Sequence, residues 1–263
     1  MSLRSKKDRH IQLSVVVITK NEERNIEECL GSARWADELV VVDTGSTDRT
    51  VALAKKFTDK VYRQPWSGYG IARNFGVDKS KGDWIFWMDA DERITPELAE
   101  RIQEILRSPD AAVSAYEISR KAFFLGRWIK HCGWYPGWVT RLFKRNAARF
   151  TDTQVHERLL VEGSTRRIYV DVLHYTDPNL FHYLEKSNRY TSLAAEELFG
   201  GSEKFRMSQL LLNPFWVFVK MYFIRRGFLD GLEGFILCVL SAAYVFAKYA
   251  KLWEKYHTAE GVQ

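Results

Sequence analysis

The run Leu13-Ser14-Val15-Val16-Val17-Ile18-Thr19 is short, rich in β-branched residues and almost wholly apolar. Such a run is typical of a strand that is buried on both faces of a parallel sheet. A similar run, Glu38–Asp43, follows it, and between the two Ile26 and Leu30 recur at helical spacing. Asn21 lies where the N-cap of that helix is expected. The alternation predicts an α/β fold, with a parallel sheet covered by helices on both faces.

Strands and helices continue to alternate up to about residue 110. The sequence predicts strands over residues 60–63 and 83–88, a helix over 71–77, and a helix that begins at Thr95-Pro96, a cap followed by a first-turn proline. Shorter strands of a more mixed region are then predicted over residues 115–120, 139–144, 155–161 and 168–175. We therefore expect a mixed, mostly parallel sheet in a domain of residues 12–177, after a basic N-terminal tail of residues 1–11.

Residues 178–263 are predicted to form a helical C-terminal extension, with helices over 183–198, 210–224 and 228–255. The last two helices are very apolar, but charged residues interrupt one and begin the other: Lys220, Arg225, Arg226, Asp230 and Glu233. Neither helix then supplies the roughly 18 to 20 apolar residues of a membrane-spanning helix. We expect helices that lie in the membrane interface, with two ordinary core helices as the alternative.

Composition excludes several classes of protein. With 263 residues, of which 46% are hydrophobic, the chain can bury a large core, which excludes a disordered chain, a collagen-like repeat and a disulfide-stapled miniprotein. Cys29, Cys132 and Cys238 are far apart in sequence, which indicates a reducing compartment. Residues 1–10 carry basic side chains but no apolar stretch, so we expect no secretory signal and a protein on the cytoplasmic side of the membrane.

The formal net charge of +6 is compatible with three kinds of partner: nucleic acid, phosphorylated substrates and an anionic membrane surface. No helix-turn-helix, RNP or zinc pattern is present in the sequence, so we expect no specific nucleic-acid binding. The partners expected here are an anionic substrate and an anionic membrane.

Two carboxylates follow the predicted strand 83–88, in Asp89-Ala90-Asp91. Alternate residues of an extended segment share a face, so both side chains can converge on one cation, and a divalent ion held in this way completes its shell with phosphate oxygens and water. Asp43 ends the neighbouring strand, where a carboxylate can bind a nucleobase or ribose. No G-x-G-x-x-G or P-loop motif accompanies it, which argues against a nicotinamide enzyme or a P-loop NTPase.

Four motifs in this order resemble the family 2 glycosyltransferases of GT-A fold: Val15–Glu22, Val42–Asp48, Ala72–Gly76 and Gly82–Ile85 leading to Asp89–Glu92. A narrower resemblance, to the lipopolysaccharide inner-core β-1,4-glucosyltransferase branch, extends over nearly the whole chain. It is carried by Trp134-Tyr135-Pro136, Arg141-Leu142-Phe143, Val155-His156-Glu157, His174-Tyr175 and Gly227–Gly231.

The resemblance implies roles for individual residues around a UDP-sugar and a divalent metal, Mn²⁺ or Mg²⁺. Asp43 would contact the uracil, Asp89 would lie near the ribose, and Asp91 would ligate the metal. The other residues implied to lie on the nucleotide side are Thr19, Asn21, Glu22, Ser46 and Arg73. His174 would complete the metal site, with a hydrogen-bonded structural histidine as the alternative.

The family uses one base, usually in a Glu-Asp pair, and this sequence departs from that pattern at His156-Glu157. We expect Glu157 to be the base, with Asp152 as the alternative. The competing interpretation of Glu157 is a surface carboxylate paired with an arginine. Residues expected near the acceptor and the donor sugar are Trp134, Tyr135, Arg141 and His156.

The resemblance thus implies an inverting, metal-dependent transferase that moves a sugar, glucose, from a UDP-sugar to a lipid-linked acceptor, the heptose of the lipopolysaccharide inner core. Such an enzyme would act at the cytoplasmic face of the inner membrane as a peripheral protein. The alternatives are another glycolipid, polysaccharide or protein acceptor, or a non-catalytic module that binds a nucleotide sugar or a membrane. Pairing of the apolar C-terminal helices into an oligomer is left open.

Overall fold

A computed structural model describes residues 12–151, 158–201 and 204–260. Contacts divide the chain into two compact units. We call the first the sheet unit, which comprises residues 1–120 and 138–174. The second, the helical unit, comprises residues 121–137 and 175–263. The domain boundary predicted at residue 177 from the sequence stays a prediction.

The strands of the described residues are β1 (Leu13–Thr19), β2 (Glu38–Asp43), β3 (Val61–Arg63), β4 (Trp84–Asp89), β5 (Glu92–Ile94), β6 (Val113–Phe124), β7 (Arg127–Trp128), β8 (Gly137–Lys144), β9 (Ala148–Phe150), β10 (Leu159–Val161) and β11 (Ser164–Asp177). The α-helices are α1 (Ile26–Ser32), α2 (Thr50–Ala54), α3 (Tyr69–Lys79), α4 (Pro96–Arg107), α5 (Leu180–Gly200), α6 (Met207–Val219) and α7 (Gly231–Glu260). A π-helical turn, Lys220–Ile224, and a 3-10 turn, Gly227–Asp230, join α6 to α7.

The main sheet runs in the order β3-β2-β1-β4-β8-β6-β11-β5, with β7 paired to β6. Strand β1 is parallel to β2 and β4, and β2 is parallel to β3, whereas β8 is antiparallel to β4 and β11 is antiparallel to β5. Strands β9 and β10 form a separate antiparallel pair. The sheet is therefore mixed, with its parallel strands at one side, as the α/β prediction requires.

Strands β1 and β2 begin and end at the residues predicted from the sequence, because each has an apolar middle, residues 15–18 and 39–42, and is buried along its whole length. Helix α4 likewise begins after Thr95, whose side chain accepts a hydrogen bond from the backbone N–H of Leu98. The core of the sheet unit forms where these strands pack against the apolar sides of α1 and α4.

The assignment of Asn21 as a helix cap is wrong. Helix α1 begins at Ile26, with Asn25 at its N-cap position. Asn21 has a positive φ of 56°, and its side-chain oxygen accepts a hydrogen bond from the backbone N–H of Thr47. Asn21 therefore joins two loops at the end of the sheet, because asparagine tolerates the left-handed conformation that this turn requires.

The helical unit contains two small buried clusters. One includes Phe124, Ile129, Leu237 and the thiols of Cys132 and Cys238, and the other lies between α5 and α7. Helix α6 has no buried residue, although it is almost wholly apolar. This finding does not fit an ordinary core helix, which was one of the two alternatives for the segment.

By length and composition alone, the helical stretch Gly227–Thr258 could cross a membrane. This differs from the expectation that its charges forbid a span. Asp230 and Glu233 lie at its N-terminal end, and the residues from there to Leu252 carry only Lys248 and Lys251. In the most apolar part of that stretch 22% of the residues are buried. Whether the helix inserts into a membrane or lies along its surface stays a prediction.

Candidate active site

The carboxyl ends of three neighbouring parallel strands carry polar side chains. In the register of the sheet, Thr19 of β1 is opposite Asp43 of β2, and Ile18 of β1 is opposite Asp89 of β4. The sheet therefore brings Thr19, Asp43 and Asp89 to one edge, where ligands bind in folds of this kind. The hydroxyl oxygen of Thr19 is buried there and forms no hydrogen bond with any residue in the described part of the chain.

The loops after β1 and β2 are tied together at this edge. The carboxylate of Asp43 accepts hydrogen bonds from the backbone N–H groups of Gly45 and Ser46, at 3.2 and 3.1 Å. The Ser46 hydroxyl accepts a hydrogen bond from the backbone N–H of Asn21 at 2.9 Å, and the Glu22 backbone N–H donates to the hydroxyl of Thr50 at 2.8 Å. These residues, which the sequence predicts on the nucleotide side, lie on two loops that hold each other in place.

Two arginines hold the carboxylate of Asp89. Arg73 of α3 donates to Oδ1 at 3.2 Å and Arg141 of β8 lies 3.4 Å from Oδ2. Burial alone would raise the pKa of Asp89, but the positive charges of Arg73 and Arg141 outweigh it and hold the pKa well below its ordinary value. Asp89 is therefore ionised at neutral pH.

Both guanidinium groups also lie against one aromatic ring. The Cζ atoms of Arg73 and Arg141 are 3.9 and 3.6 Å from the ring centroid of Trp87. Cation–π contact of this kind stabilises a guanidinium at a buried position. Trp87 thus fixes the position of both arginines beside Asp89.

Glu92 is a site residue to which the sequence assigned no role. It lies on β5, is completely buried, forms a salt bridge with the buried Arg141, and accepts a hydrogen bond from the backbone N–H of Asp89 at 3.0 Å. Burial raises the pKa of Glu92, while the charge of Arg141 opposes that shift. The three-residue strand β5 gave no periodic signal, but a glutamate in the third position after Asp89 was visible in the motif.

The side chains of Asp91 and His174, which the resemblance assigns to the metal site, lie next to each other. The Nε2 atom of His174, on β11, lies 3.3 Å from Oδ2 of Asp91. Burial lowers the pKa of His174, but the carboxylates of Asp91 and Glu92 outweigh it, so the pKa lies above its ordinary value. This pair adjoins Glu92, since His174 is opposite Glu92 in the β11–β5 ladder.

The residues present fit a divalent metal only in part. The Oδ1 atom of Asp91 is buried and has no hydrogen-bond partner among the residues that the structure describes, which suits an oxygen that binds a cation. No group of three or more His, Cys, Asp or Glu side chains that could hold a metal ion occurs in residues 12–151, 158–201 and 204–260. A metal held by Asp91 and His174 would therefore need ligands from a substrate, as a diphosphate provides.

Several predicted residues are not brought to this edge by the described structure. Glu157, Asp152 and His156 lie outside the described residues, so the assignment of the base stays a prediction. Trp134 and Tyr135 belong to the helical unit, where Trp134 packs against Phe124 and Tyr135 against Trp128. Their assignment to the acceptor also stays a prediction.

Comparison with known proteins places this architecture in a family. Residues 14–173 match the sequence profile of glycosyl transferase family 2. A lipopolysaccharide core biosynthesis glycosyltransferase, LpsC, of Rhizobium meliloti is 30% identical over 94% of this chain and 93% of its own length. An uncharacterised glycosyltransferase of Rickettsia typhi is 31% identical over 92% of this chain and 87% of its own.

Solved structures share the fold. A mannosyltransferase from Pyrobaculum calidifontis, solved in complex with GDP-Man and Mn²⁺, superposes with a TM-score of 0.55 at 14% identity, over 93% of this chain and 88% of the other. A mycobacterial protein superposes with a TM-score of 0.51 over 72% of this chain and 74% of its own. Because the family profile spans the sheet with its polar edge and the relatives match nearly end to end, the chain belongs to glycosyl transferase family 2 and has the GT-A fold.

Proposed function

We propose that this chain is an inverting glycosyltransferase that transfers a hexose, glucose, from a UDP-sugar to a lipid-linked glycan, the heptose of the lipopolysaccharide inner core. The observation that carries the proposal is the Asp91–His174 pair with its unpartnered carboxylate oxygen, at the sheet edge that also carries Asp43. The similarity to a lipopolysaccharide core glycosyltransferase over nearly the whole chain supports this class of acceptor.

The nucleotide would lie across the ends of β1 and β2. Asp43 would accept a hydrogen bond from the uracil, and its own turn holds it in place through Gly45 and Ser46. Asn21 and Glu22 border the same edge, because their loop is bonded to the loop that follows Asp43. Asp89, held by Arg73, would lie near the ribose.

Asp91 and His174 are the residues that would hold Mn²⁺ or Mg²⁺. When bound, the ion would act as a Lewis acid that neutralises the departing diphosphate. The chain's own contribution is a carboxyl group, one oxygen of which forms no hydrogen bond with the described residues, and an imidazole beside it. A proton on His174 would oppose a cation, so metal binding at this pair would displace that proton.

Inversion at the anomeric carbon requires a base that removes the proton of the acceptor hydroxyl during in-line attack. We assign this role to Glu157, with Asp152 as the alternative, as the sequence indicates. The acceptor would lie near Arg141, Trp134, Tyr135 and His156.

The helical unit would keep the enzyme at the cytoplasmic face of the inner membrane as a peripheral protein. The support is the exposure of large apolar side chains on α6, among them Leu211, Leu212, Phe215 and Trp216, which we call the α6 apolar surface. Exposed apolar surface of this extent marks an interaction site, and nearby basic residues such as Lys220 and Arg226 suit an anionic membrane.

The test is release of UDP by the purified protein across a panel of UDP-sugars, with Mg²⁺ or Mn²⁺ and with a chelator, in the presence of truncated-core lipopolysaccharide. We expect release that depends on the acceptor, occurs with UDP-glucose and stops with chelator. Release with a different sugar or acceptor would replace that substrate assignment. Binding of UDP without any transfer would contradict the enzyme and favour a nucleotide-sugar-binding module.

A further inference from the structure

A cavity of about 380 Å³ opens beside Asp89, on the side of β4 that faces β8. Its lining includes one carboxylate, that of Asp89, and four arginines. The arginines are Arg73, Arg120, Arg141 and Arg158. Glu92, which pairs with Arg141 behind this lining, is the second carboxylate that offsets them. Asp91 is a third carboxyl group that acts on Arg120, so four arginines face three carboxyl groups and the surroundings of the cavity carry an excess of basic groups.

Two of these arginines have buried N–H groups that donate no hydrogen bond to any described residue. The Nε and Nη1 atoms of Arg141 and the Nε atom of Arg120 are buried and have no hydrogen-bond partner in the described part of the chain. Arg141 is completely buried, and Arg120 forms no salt bridge within residues 12–151, 158–201 and 204–260. A buried donor without an acceptor is costly, so these atoms suit a ligand that carries acceptor oxygens.

The two arginines also repel each other. Burial and the neighbouring charge of Arg141 both lower the pKa of Arg120. An oxyanion between them would relieve this repulsion and would accept the free N–H groups, since planar guanidinium groups match the oxygens of phosphate and carboxylate. The Cζ atom of Arg141 lies 3.6 Å from the ring centroid of Trp87, a contact that holds this guanidinium group beside the cavity.

The position of the cavity distinguishes the two substrates. Its described lining comes from β4, β6, β8, residues 158–159, Arg73 and Phe150. The lining includes Arg73 and Asp89, assigned above to the ribose side of the nucleotide, but not Thr19, Asn21, Asp43 or Asp91. Its other charged residues are Arg141, assigned above to the acceptor, with Arg120 and Arg158, to which no nucleotide role is assigned. We therefore assign an anion bound by Arg120 and Arg141 to the acceptor.

We propose that the cavity is an oxyanion subsite for the acceptor, in which Arg120 and Arg141 donate N–H hydrogen bonds to a phosphate or carboxylate group carried by that glycan. The proposal deepens the proposed function and rests on it for the identity of the acceptor. Arg120 would be a specificity residue, since it adds an ionic contact that a neutral acceptor lacks.

Arg120→Gln is the informative variant, because it removes a charge without leaving a carboxylate unpaired. Arg141 is unsuitable, since its removal would leave Glu92 buried without its partner and destabilise the fold. Arg120→Lys keeps the charge but not the planar donors. The matched control is Arg166→Gln, which makes the same change at a side chain that is 61% exposed and pairs with Asp110.

The first arm measures binding of inorganic phosphate to the full chain by calorimetry, with and without saturating UDP and Mg²⁺. We expect phosphate to bind with UDP in place, about tenfold more weakly in Arg120→Gln and unchanged in Arg166→Gln, as for one charge-assisted hydrogen bond. Equal binding in Arg120→Gln, or competition between phosphate and UDP, would overturn the proposal. This arm needs no transfer, so it decides the subsite even if the proposed reaction fails.

The second arm measures the KM for lipopolysaccharide that is intact, dephosphorylated or amidated at its carboxylates. In the wild type we expect one modification to raise the acceptor KM about tenfold, and that modification identifies the anion. In Arg120→Gln the acceptor KM should already be high and indifferent to the same modification, while the KM for the UDP-sugar is unchanged. A variant that still discriminates, or a wild type indifferent to both modifications, would refute the assignment to the acceptor.

Discussion

The sheet unit and the helical unit place apolar residues in opposite environments. The apolar strands β1 and β2 of the sheet unit are buried at every residue. Helix α6 of the helical unit is comparably apolar, yet none of its residues is buried, and Leu211, Leu212, Phe215 and Trp216 are among the most exposed large side chains of the chain. The strands β1 and β2 and the helix α6 therefore have similar apolar character but differ in how much of it is buried.

This difference in burial also distinguishes the kinds of group that each unit leaves without a favourable contact. The sheet unit buries most of its apolar side chains and leaves polar atoms at Thr19, Asp91, Arg120 and Arg141 without hydrogen-bond partners among the described residues. The helical unit leaves apolar side chains in contact with solvent. The sheet unit is therefore suited to bind a polar ligand, and the helical unit is suited to contact an apolar surface.

The largest effect is expected where the sheet unit lacks a ligand, at Asp91. Asp91→Asn keeps the shape of the side chain but removes the charge that would bind a divalent ion, so transfer should fall by at least about 10²–10³-fold while the fold persists. Turnover and circular dichroism should be measured together. The control is Asp59→Asn, which changes an exposed carboxylate of the same unit. Full activity of Asp91→Asn would remove Asp91 from the metal site.

The second prediction makes one substitution in both units. Leu98 of α4 is 0% exposed and Leu212 of α6 is 62% exposed. Leu98→Ala should lower the free energy of unfolding by about 2–5 kcal/mol, because it leaves a cavity in the core. Leu212→Ala should change it by less than about 0.5 kcal/mol, as is usual for a surface site. Urea denaturation of the two variants measures the difference.

In membrane binding, the larger effect should come from Leu212→Ala and the smaller one from Leu98→Ala. Cosedimentation with vesicles of mixed phosphatidylethanolamine and phosphatidylglycerol should weaken by about threefold or more in Leu212→Ala, because the variant offers less apolar surface to the bilayer. Binding of folded Leu98→Ala protein should be unchanged. A large loss of unfolding free energy in Leu212→Ala would mean that α6 is packed in solution, and the contrast between the units would fail.

The sheet unit was the more predictable of the two because its signals are local. Runs of four consecutive apolar residues predict β1 and β2, and a threonine followed by proline predicts the start of α4. Short elements gave no such signal. Strand β5 has three residues, too few for a period, and the buried Glu92 that it carries owes its place to pairing with Arg141 and with β11, far away in sequence.

The candidate site could be predicted as a set of residues but not as a set of contacts. Strand ends indicated Thr19, Asp43 and Asp89, and the resemblance indicated Asp91 and His174, which the fold brings to within 3.3 Å of each other. The pairing of Asp89 with Arg73 and Arg141 depends on side chains from a helix and an antiparallel strand, and no spacing in the sequence encodes it. The composition of α7 predicts a helix, but it does not predict whether water, lipid or protein surrounds that helix. Charged residues near one end of α7 do not determine the surroundings of its apolar part.

The smallest expected effect concerns a buried carboxylate that, unlike Asp91, has all its partners within the protein. Glu38 begins β2 and accepts hydrogen bonds from the hydroxyl of Ser14, the ammonium of Lys60 and, at 2.7 Å, the backbone N–H of Lys81. Burial alone would raise the pKa of Glu38, but these hydrogen bonds outweigh it, and the pKa lies below its ordinary value.

A carboxyl group whose pKa is lower in the folded than in the unfolded chain stabilises the fold above its ordinary pKa and loses that contribution as the pH falls through the folded value. Glu38→Gln should therefore unfold more easily than the wild type at about pH 6, and the difference in unfolding free energy should shrink as the pH falls below the ordinary pKa of 4.5 and through the lower pKa of the folded protein. Urea denaturation across this range measures the difference, with Glu100→Gln, an exposed site in the same unit, as the control. If the difference in unfolding free energy does not change with pH, Glu38 stabilises the fold through hydrogen bonds that glutamine also forms, and not through its charge. The stability of the sheet unit would then not depend on pH through Glu38.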